Sequence, residues 1–156
     1  MKKKFVLTAL VFLTLTLQAQ NPLIKNLHIQ NTKGQTIQPI EPDHPRIEYI
    51  GRVDKTDPKK PRFGFSGVSI HCKFSGKMIE VMFSSTSDKN YYFYIIDEEK
   101  PKKINIQSQV KKYTLAENLK DTIHELRLVR LTEGSQGIDT FEGLILGGND
   151  SLVTLP

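Results

Sequence analysis

The 156-residue chain has no tryptophan and one cysteine, and its apparent excess of positive charge is largely confined to one end. Each scarcity excludes something. A lone Cys72 closes no intramolecular disulfide, so in an oxidising compartment the fold must be held by packing rather than cross-links. Without tryptophan, the ring that sugar-binding platforms most favour is missing. The formal net charge is +5, but Lys2, Lys3 and Lys4 supply three of those charges in a stretch of twenty residues that contains no acid. The remainder is near +2, which leaves no concentrated basic face for nucleic acid. Lys59-Lys60 and Lys102-Lys103 are short, separate pairs beside prolines and read as solvated loops.

What is present begins with an export signal. The basic Lys2–Lys4 cluster precedes an apolar stretch, Phe5 to Leu17, and then Gln18-Ala19-Gln20 offers a small residue for cleavage. The order reads as a secretory signal peptide over residues 1–20, and the apolar stretch is too short to span a bilayer. The expected destination is periplasmic or extracellular, with no membrane association after cleavage. No cysteine follows the apolar stretch, so a lipoprotein anchor is excluded. About 136 residues remain, enough for one domain with a real core.

Residues 21–44 are polar and proline-containing and read as an N-terminal arm, with one short strand at Leu27 to Asn31. The body runs over 45–148, and 149–156 reads as a tail or the start of a linker. Within the body the dominant signal is period-two alternation, the pattern of half-buried strands. Val68, Ile70, Cys72 and Phe74 share one face. After Ser75-Gly76-Lys77 come Ile79, Val81 and Phe83, which together predict a hairpin. Further strands are expected at Tyr91–Asp97, Ile104–Ile106, Val110–Leu115, Thr122–Leu131 and Phe141–Leu146, with a single helical turn at Ala116–Lys120. Eight to ten short strands with turns between them predict an all-β, jelly-roll-like antiparallel β-sandwich.

Several segments carry a resemblance. They are Gly51-Arg52, Pro61-Arg62-Phe63-Gly64-Phe65-Ser66-Gly67, Phe74-Ser75-Gly76-Lys77, Tyr94-Ile95-Ile96-Asp97, Tyr113-Thr114-Leu115-Ala116, His124-Glu125-Leu126 through Thr132-Glu133, and Phe141-Glu142-Gly143-Leu144. Their order and spacing resemble the N-terminal jelly-roll domain of the family-two carbohydrate esterases, over roughly residues 45 to 148. Asp97-Glu98-Glu99 departs from that family's Asp-Gly turn, and Val129-Arg130-Leu131 shifts a basic residue. The resemblance implies a secreted polysaccharide acetyl esterase, of the acetylxylan type, whose catalysis belongs to a following Gly-Asp-Ser hydrolase domain. That domain is the implied partner, with plant polysaccharide as a further one. A non-catalytic module without cofactor is the function expected.

Asp150-Ser151-Leu152 has the look of a nucleophile motif, but Asn149 stands where its glycine belongs, and no base or acid is spaced to serve the serine. No catalytic residue is therefore assigned. His28, His44, His71 and His124 lack the close spacing of metal ligands, so no metal is expected, and His124 reads as a structural, hydrogen-bonded histidine. Cys72 reads as a buried, inert thiol. In the aromatic run, Tyr91 and Phe93 share one face and Tyr92 and Tyr94 the other, and one of the two faces must be core. Tyr92, Tyr94 and Arg52 are the candidate ligand-binding residues. For Arg52, the resemblance suggests a contact to substrate or to the hydrolase domain, and the simpler reading is a salt bridge to Asp54. The alternative function is a free-standing carbohydrate-binding sandwich that uses exposed tyrosines.

Overall fold

The computed structural model describes residues 29–30 and 36–155. The signal segment 1–20, most of the arm up to residue 35, and His28 lie outside the described residues. Strands occupy β1 (Ile29–Gln30), β2 (Thr36–Ile40), β3 (Glu48–Ile50), β4 (Val53–Asp54), β5 (Arg62–Phe63), β6 (Ser69–Gly76) and β7 (Ile79–Ser85). They continue with β8 (Asn90–Ile96), β9 (Lys102–Ile106), β10 (Lys111–Ala116), β11 (Thr122–Arg130), β12 (Asp139–Gly147) and β13 (Leu152–Val153). Eight of these reach five residues, and the rest are two- or three-residue edge pieces.

All pairings are antiparallel and form two sheets. In the first, β12 is central: β7 lies along one side with β10 outside it, while β2 (edged by β1) and β5 (edged by β4) share the other. In the second, β6 and β11 are central, with β8 and β9 beyond β11, and β3 and β13 sharing the far side of β6. The product is a β-sandwich, as the alternation predicts. Two segments outside the 45–148 body add strands to it. Ile40 of β2 is a core residue at 7% exposure, and Leu152 of β13 is 1% exposed.

The core follows from strand parity. Ile70, Cys72 and Phe74 of β6 and Leu126 and Leu128 of β11 face Ile79, Val81 and Phe83 of β7 and Phe141, Leu144 and Leu146 of β12. The parity of β12 slips by one residue between Phe141 and Leu144, because a bulge at Gly143 (φ +119) inserts an extra residue. A Cβ there would lie 2.4 Å from the carbonyl oxygen of Ile40 on the neighbouring strand, so glycine is required. Aromatic rings tie the sheets together: Phe83 lies 5.0 Å from Tyr92 and 5.3 Å from Phe141, centroid to centroid.

Two local expectations are corrected. Strands β6 and β7 are not a hairpin. They belong to different sheets, and the turn between them crosses the core. Alternation reports which face is buried, and two strands facing one another bury the same rows that two adjacent strands would. The helical turn at Ala116–Lys120 does not form. β10 runs on through Ala116, Asn118 takes a left-handed conformation (φ 61), and the Leu119 amide bonds to the Lys77 carbonyl.

Candidate functional site

Strand parity also decides between the two aromatic faces. Tyr92 points into the core at 1% exposure and donates its hydroxyl to Asp139 Oδ2 at 2.9 Å. Tyr94, on the same row, packs against the core cluster. Tyr92 has no ring surface to offer, so its assignment as a ligand-binding residue is corrected to a structural one; Tyr94 is half-buried, with its inner side taken up by the core. Burial and the neighbouring Asp139 carboxylate push the Tyr92 phenol well above its ordinary range. The outward residues of that run are Tyr91, covered by the Lys103 ammonium at 4.2 Å, and Phe93, 39% exposed.

Around Tyr92 lies a buried polar network that the sequence reading missed. Arg130 ends β11 with its side chain fully buried, and its guanidinium pairs with Asp139 at the start of β12. It also donates to the carbonyls of Phe63 (2.8 Å), Thr132 (2.8 Å) and Gly137 (2.6 Å) and to Asn90 Oδ1 (3.0 Å). Asn90 Nδ2 in turn donates to Asp139 Oδ1 (2.7 Å) and Ser85 Oγ (2.9 Å). Burial raises the Asp139 carboxyl's pKa, and hydrogen bonds and the Arg130 charge oppose that rise. The donors converging on it leave it the acceptor of the cluster. The network joins strands of both sheets with every member buried and hydrogen-bonded, so it acts as a clamp. Its signal was present: Arg130 falls on the inward parity of His124, Leu126 and Leu128, and Asp139 on that of Phe141.

The opposite end of β11 carries a second polar node. His124, its side chain 6% exposed, places Nδ1 2.8 Å from Asp97 Oδ2 and Nε2 2.9 Å from the Lys120 carbonyl. Burial works against charge on the ring, but two acceptors facing two nitrogens outweigh it and raise the pKa. Asp97 adopts φ 55, a left-handed conformation that aspartate tolerates, and accepts the Glu125 amide at 2.9 Å. Burial tends to raise its pKa, yet these hydrogen bonds and the His124 charge lower it. The reading of His124 as a hydrogen-bonded structural residue holds.

Ser151 lies in backbone contact with the β6–β7 turn. Its amide donates to Ser75 Oγ at 3.0 Å and its carbonyl accepts the Ser75 amide at 2.9 Å. The Asp150 carboxylate occupies the space that side chains at Gly76 and Gly147 would need, 1.9 Å and 2.4 Å from their ideal Cβ positions. The Asp-Ser pair thus closes one end of the sandwich. Among the described residues, no histidine bonds to the Ser151 hydroxyl, and no three His, Cys, Asp or Glu side chains come together as metal ligands. Cys72 is buried, and burial pushes its thiol up to about 12.

Arg52 is exposed in the turn after β3. The salt bridge to Asp54 does not form: the guanidinium lies over the Phe65 ring, 4.5 Å from its centroid, and the Asp54 carboxylate accepts Thr56 N and Oγ1 instead. Beside this stack is an open groove of about 300 Å³, lined by Arg52, Val53, Asp54, Arg62, Phe65 and Ile138. A flatter apolar feature crosses the outside of the second sheet. There Ile50, Ser69, Val129 and Phe93 lie abreast on β3, β6, β11 and β8, with Ile50 43% and Phe93 39% exposed.

Comparison with known proteins assigns this architecture. The cellulase/esterase CelE of Acetivibrio thermocellus is 29% identical over 110 residues, which are 70% of this chain and 13% of that protein. The acetylxylan esterase/glucomannan deacetylase of Cellvibrio japonicus is 25% identical over 113 residues, 72% of this chain and 32% of its own length. The chain thus spans about a third or less of the curated relatives that it matches. The solved structure of a family two carbohydrate esterase from Cellvibrio japonicus superposes with a TM-score of 0.72 at 23% identity, covering 78% of this chain and 36% of that one, and shares its fold. The family described as carbohydrate esterase 2 N-terminal matches residues 49–156, and the chain belongs to that family.

Proposed function

We propose that this chain is the non-catalytic accessory module of an exported polysaccharide acetyl esterase, packing on and supporting a hydrolase domain of the Gly-Asp-Ser type. The observation that carries the reading is the row Ile50, Ser69, Val129 and Phe93 on the outer face of the second sheet, in which exposed Ile50 and Phe93 flank a buried serine and a half-buried valine. Large apolar side chains exposed along one row offer a protein contact, whereas Tyr92 and Tyr94, the tyrosines expected to form a sugar platform, pack inward. The relatives' names supply the substrate class: one is an acetylxylan esterase and glucomannan deacetylase, the other a cellulase/esterase. Residues 1–20 supply the export signal.

Two measurements test the reading. Mixed with the hydrolase domain of a family-two esterase, the chain forms a complex in sedimentation, and Ile50→Glu with Phe93→Glu weakens it about tenfold or more, since charge is placed in an apolar contact. Alone it shows no turnover of p-nitrophenyl acetate. Turnover that disappears in Ser151→Ala overturns the non-catalytic assignment, and failure to associate overturns the docking role.

A further inference from the structure

We infer that the groove beside Arg52 is a binding site for a carboxylate-bearing pyranose, that is, a hexuronate residue of a polysaccharide. That the carboxylate is carried by a sugar rests on the polysaccharide reading above; the site itself rests on geometry. The groove's volume of about 300 Å³ is that of a small-ligand pocket. Its walls combine two kinds of surface. Val53, Ile138 and the part of Phe65 that the Arg52 guanidinium does not cover present apolar surface to the C–H face of a sugar ring. Arg52 and Arg62, both exposed, present guanidinium groups.

The charge balance selects an anion. Asp54 is the one acid among the lining residues. Hydrogen bonds from the Thr56 hydroxyl (2.7 Å) and amide (3.0 Å) engage it, these bonds hold its pKa low, and it sits opposite Arg62 in the β4–β5 register. Arg52 has no carboxylate partner among the described residues. With its guanidinium carbon 4.5 Å from the Phe65 centroid and no described acid bound to it, Arg52 keeps N–H groups that can donate two parallel hydrogen bonds to a carboxylate. The turns around the groove are closely packed. Gly51 turns at φ +98 against Val68, and Gly134 lies so close to the Gly64 carbonyl that a Cβ there would be 2.7 Å away. An inorganic anion would leave the apolar wall unused, and a neutral sugar would engage Arg52 only through hydroxyl acceptors, without the charge-assisted pair. A uronate uses both.

Titration of the ¹⁵N-labelled chain with a glucuronate-substituted xylo-oligosaccharide tests this. The expected result is amide shifts confined to Gly51–Asp54, Arg62–Phe65 and Ile138. The unsubstituted oligosaccharide and sodium acetate should each bind about tenfold more weakly or less, the loss of one charge-assisted contact. Arg52→Ala removes the binding and Arg52→Lys, which keeps the charge but loses the fork, weakens it, with both variants melting like the parent. Equal shifts with the neutral oligosaccharide, shifts no larger than those from acetate, or an unaffected Arg52→Ala overturn the site. So does a groove that responds to a hydrolase domain and to no sugar, which makes it a protein contact. A chain that binds the hydrolase domain but not the uronate keeps the accessory role and loses this inference, and the reverse result separates the two in the other direction.

Discussion

Removing the imidazole at position 124 should produce a loss of stability that depends on pH in a calculable direction. Both ring nitrogens of His124 face acceptors, Asp97 at 2.8 Å and the Lys120 carbonyl at 2.9 Å, so the folded state favours the imidazolium. Its pKa is raised in the folded chain. The stability it contributes is therefore full below the unfolded value near 6.5 and disappears as pH rises through the folded value. Asp97, whose pKa is lowered, contributes above its unfolded value near 3.8 and loses that contribution as pH falls through the lowered one. The pair is strongest between those limits. A charge-assisted hydrogen bond is worth about 1.5–3 kcal/mol, but the Asp97 side chain is 47% exposed and water screens it, so about 1–2 kcal/mol is the expected share. For a domain of this size that is roughly 4–8 °C in Tm. His71 must be separated from it. Burial and Arg127 lower its pKa, so His71 destabilises the fold as pH falls below about 6.5. The informative quantity is thus the Tm difference between the parent and His124→Gln, measured by circular dichroism at pH 5.5 and pH 8.5. That difference should be larger at pH 5.5 and should shrink in an Asp97→Asn background. A difference that is the same at both pH values refutes the imidazolium assignment.

Three further outcomes follow from buried geometry. Asp139→Leu or Arg130→Met alone should each cost about 3–5 kcal/mol in denaturant unfolding, because each leaves an uncompensated buried charge, whereas the Arg130→Met, Asp139→Leu double variant should lose less than the two single losses together. Gly76→Ala should cost more than about 2 kcal/mol, since φ +108 is strained for alanine and the Asp150 carboxylate occupies the Cβ position. An unchanged Tm would refute that packing. Cys72 should stay unreactive toward a thiol reagent at pH 8 until the chain is unfolded, because its thiol is buried and titrates near 12; rapid labelling of the folded protein would contradict this.

Alternation made the buried faces of β6, β7, β11 and β12 readable, because a side chain's face depends only on its own strand's parity. Partners were not readable in the same way. The strand after Ser75-Gly76-Lys77 finds its partners in β10 and β12, about thirty and sixty residues later, and no local signal names them. The aromatic run from Tyr91 to Tyr94 presented rings on both faces, and local sequence could not rank them. Asp139 and Phe83 decide the matter by receiving the Tyr92 hydroxyl and ring, the first far along the chain and the second on another strand in the opposite sheet. Arg130 was different. Its parity already placed it inside, and a charge on an inward position is a signal for a buried partner. The Arg52 stack on Phe65 was hidden because Asp54, two residues away, looked the nearer partner, until the β4 turn gave Asp54 to Thr56.

The pairing of β2 with β12 ties residues 37–40 to residues 144–147. The first sheet therefore lacks its centre until residue 147 has emerged from the ribosome, and the edge formed early waits unpaired for more than a hundred residues. Chaperones acting on the loose polymer have that whole interval in which to engage it.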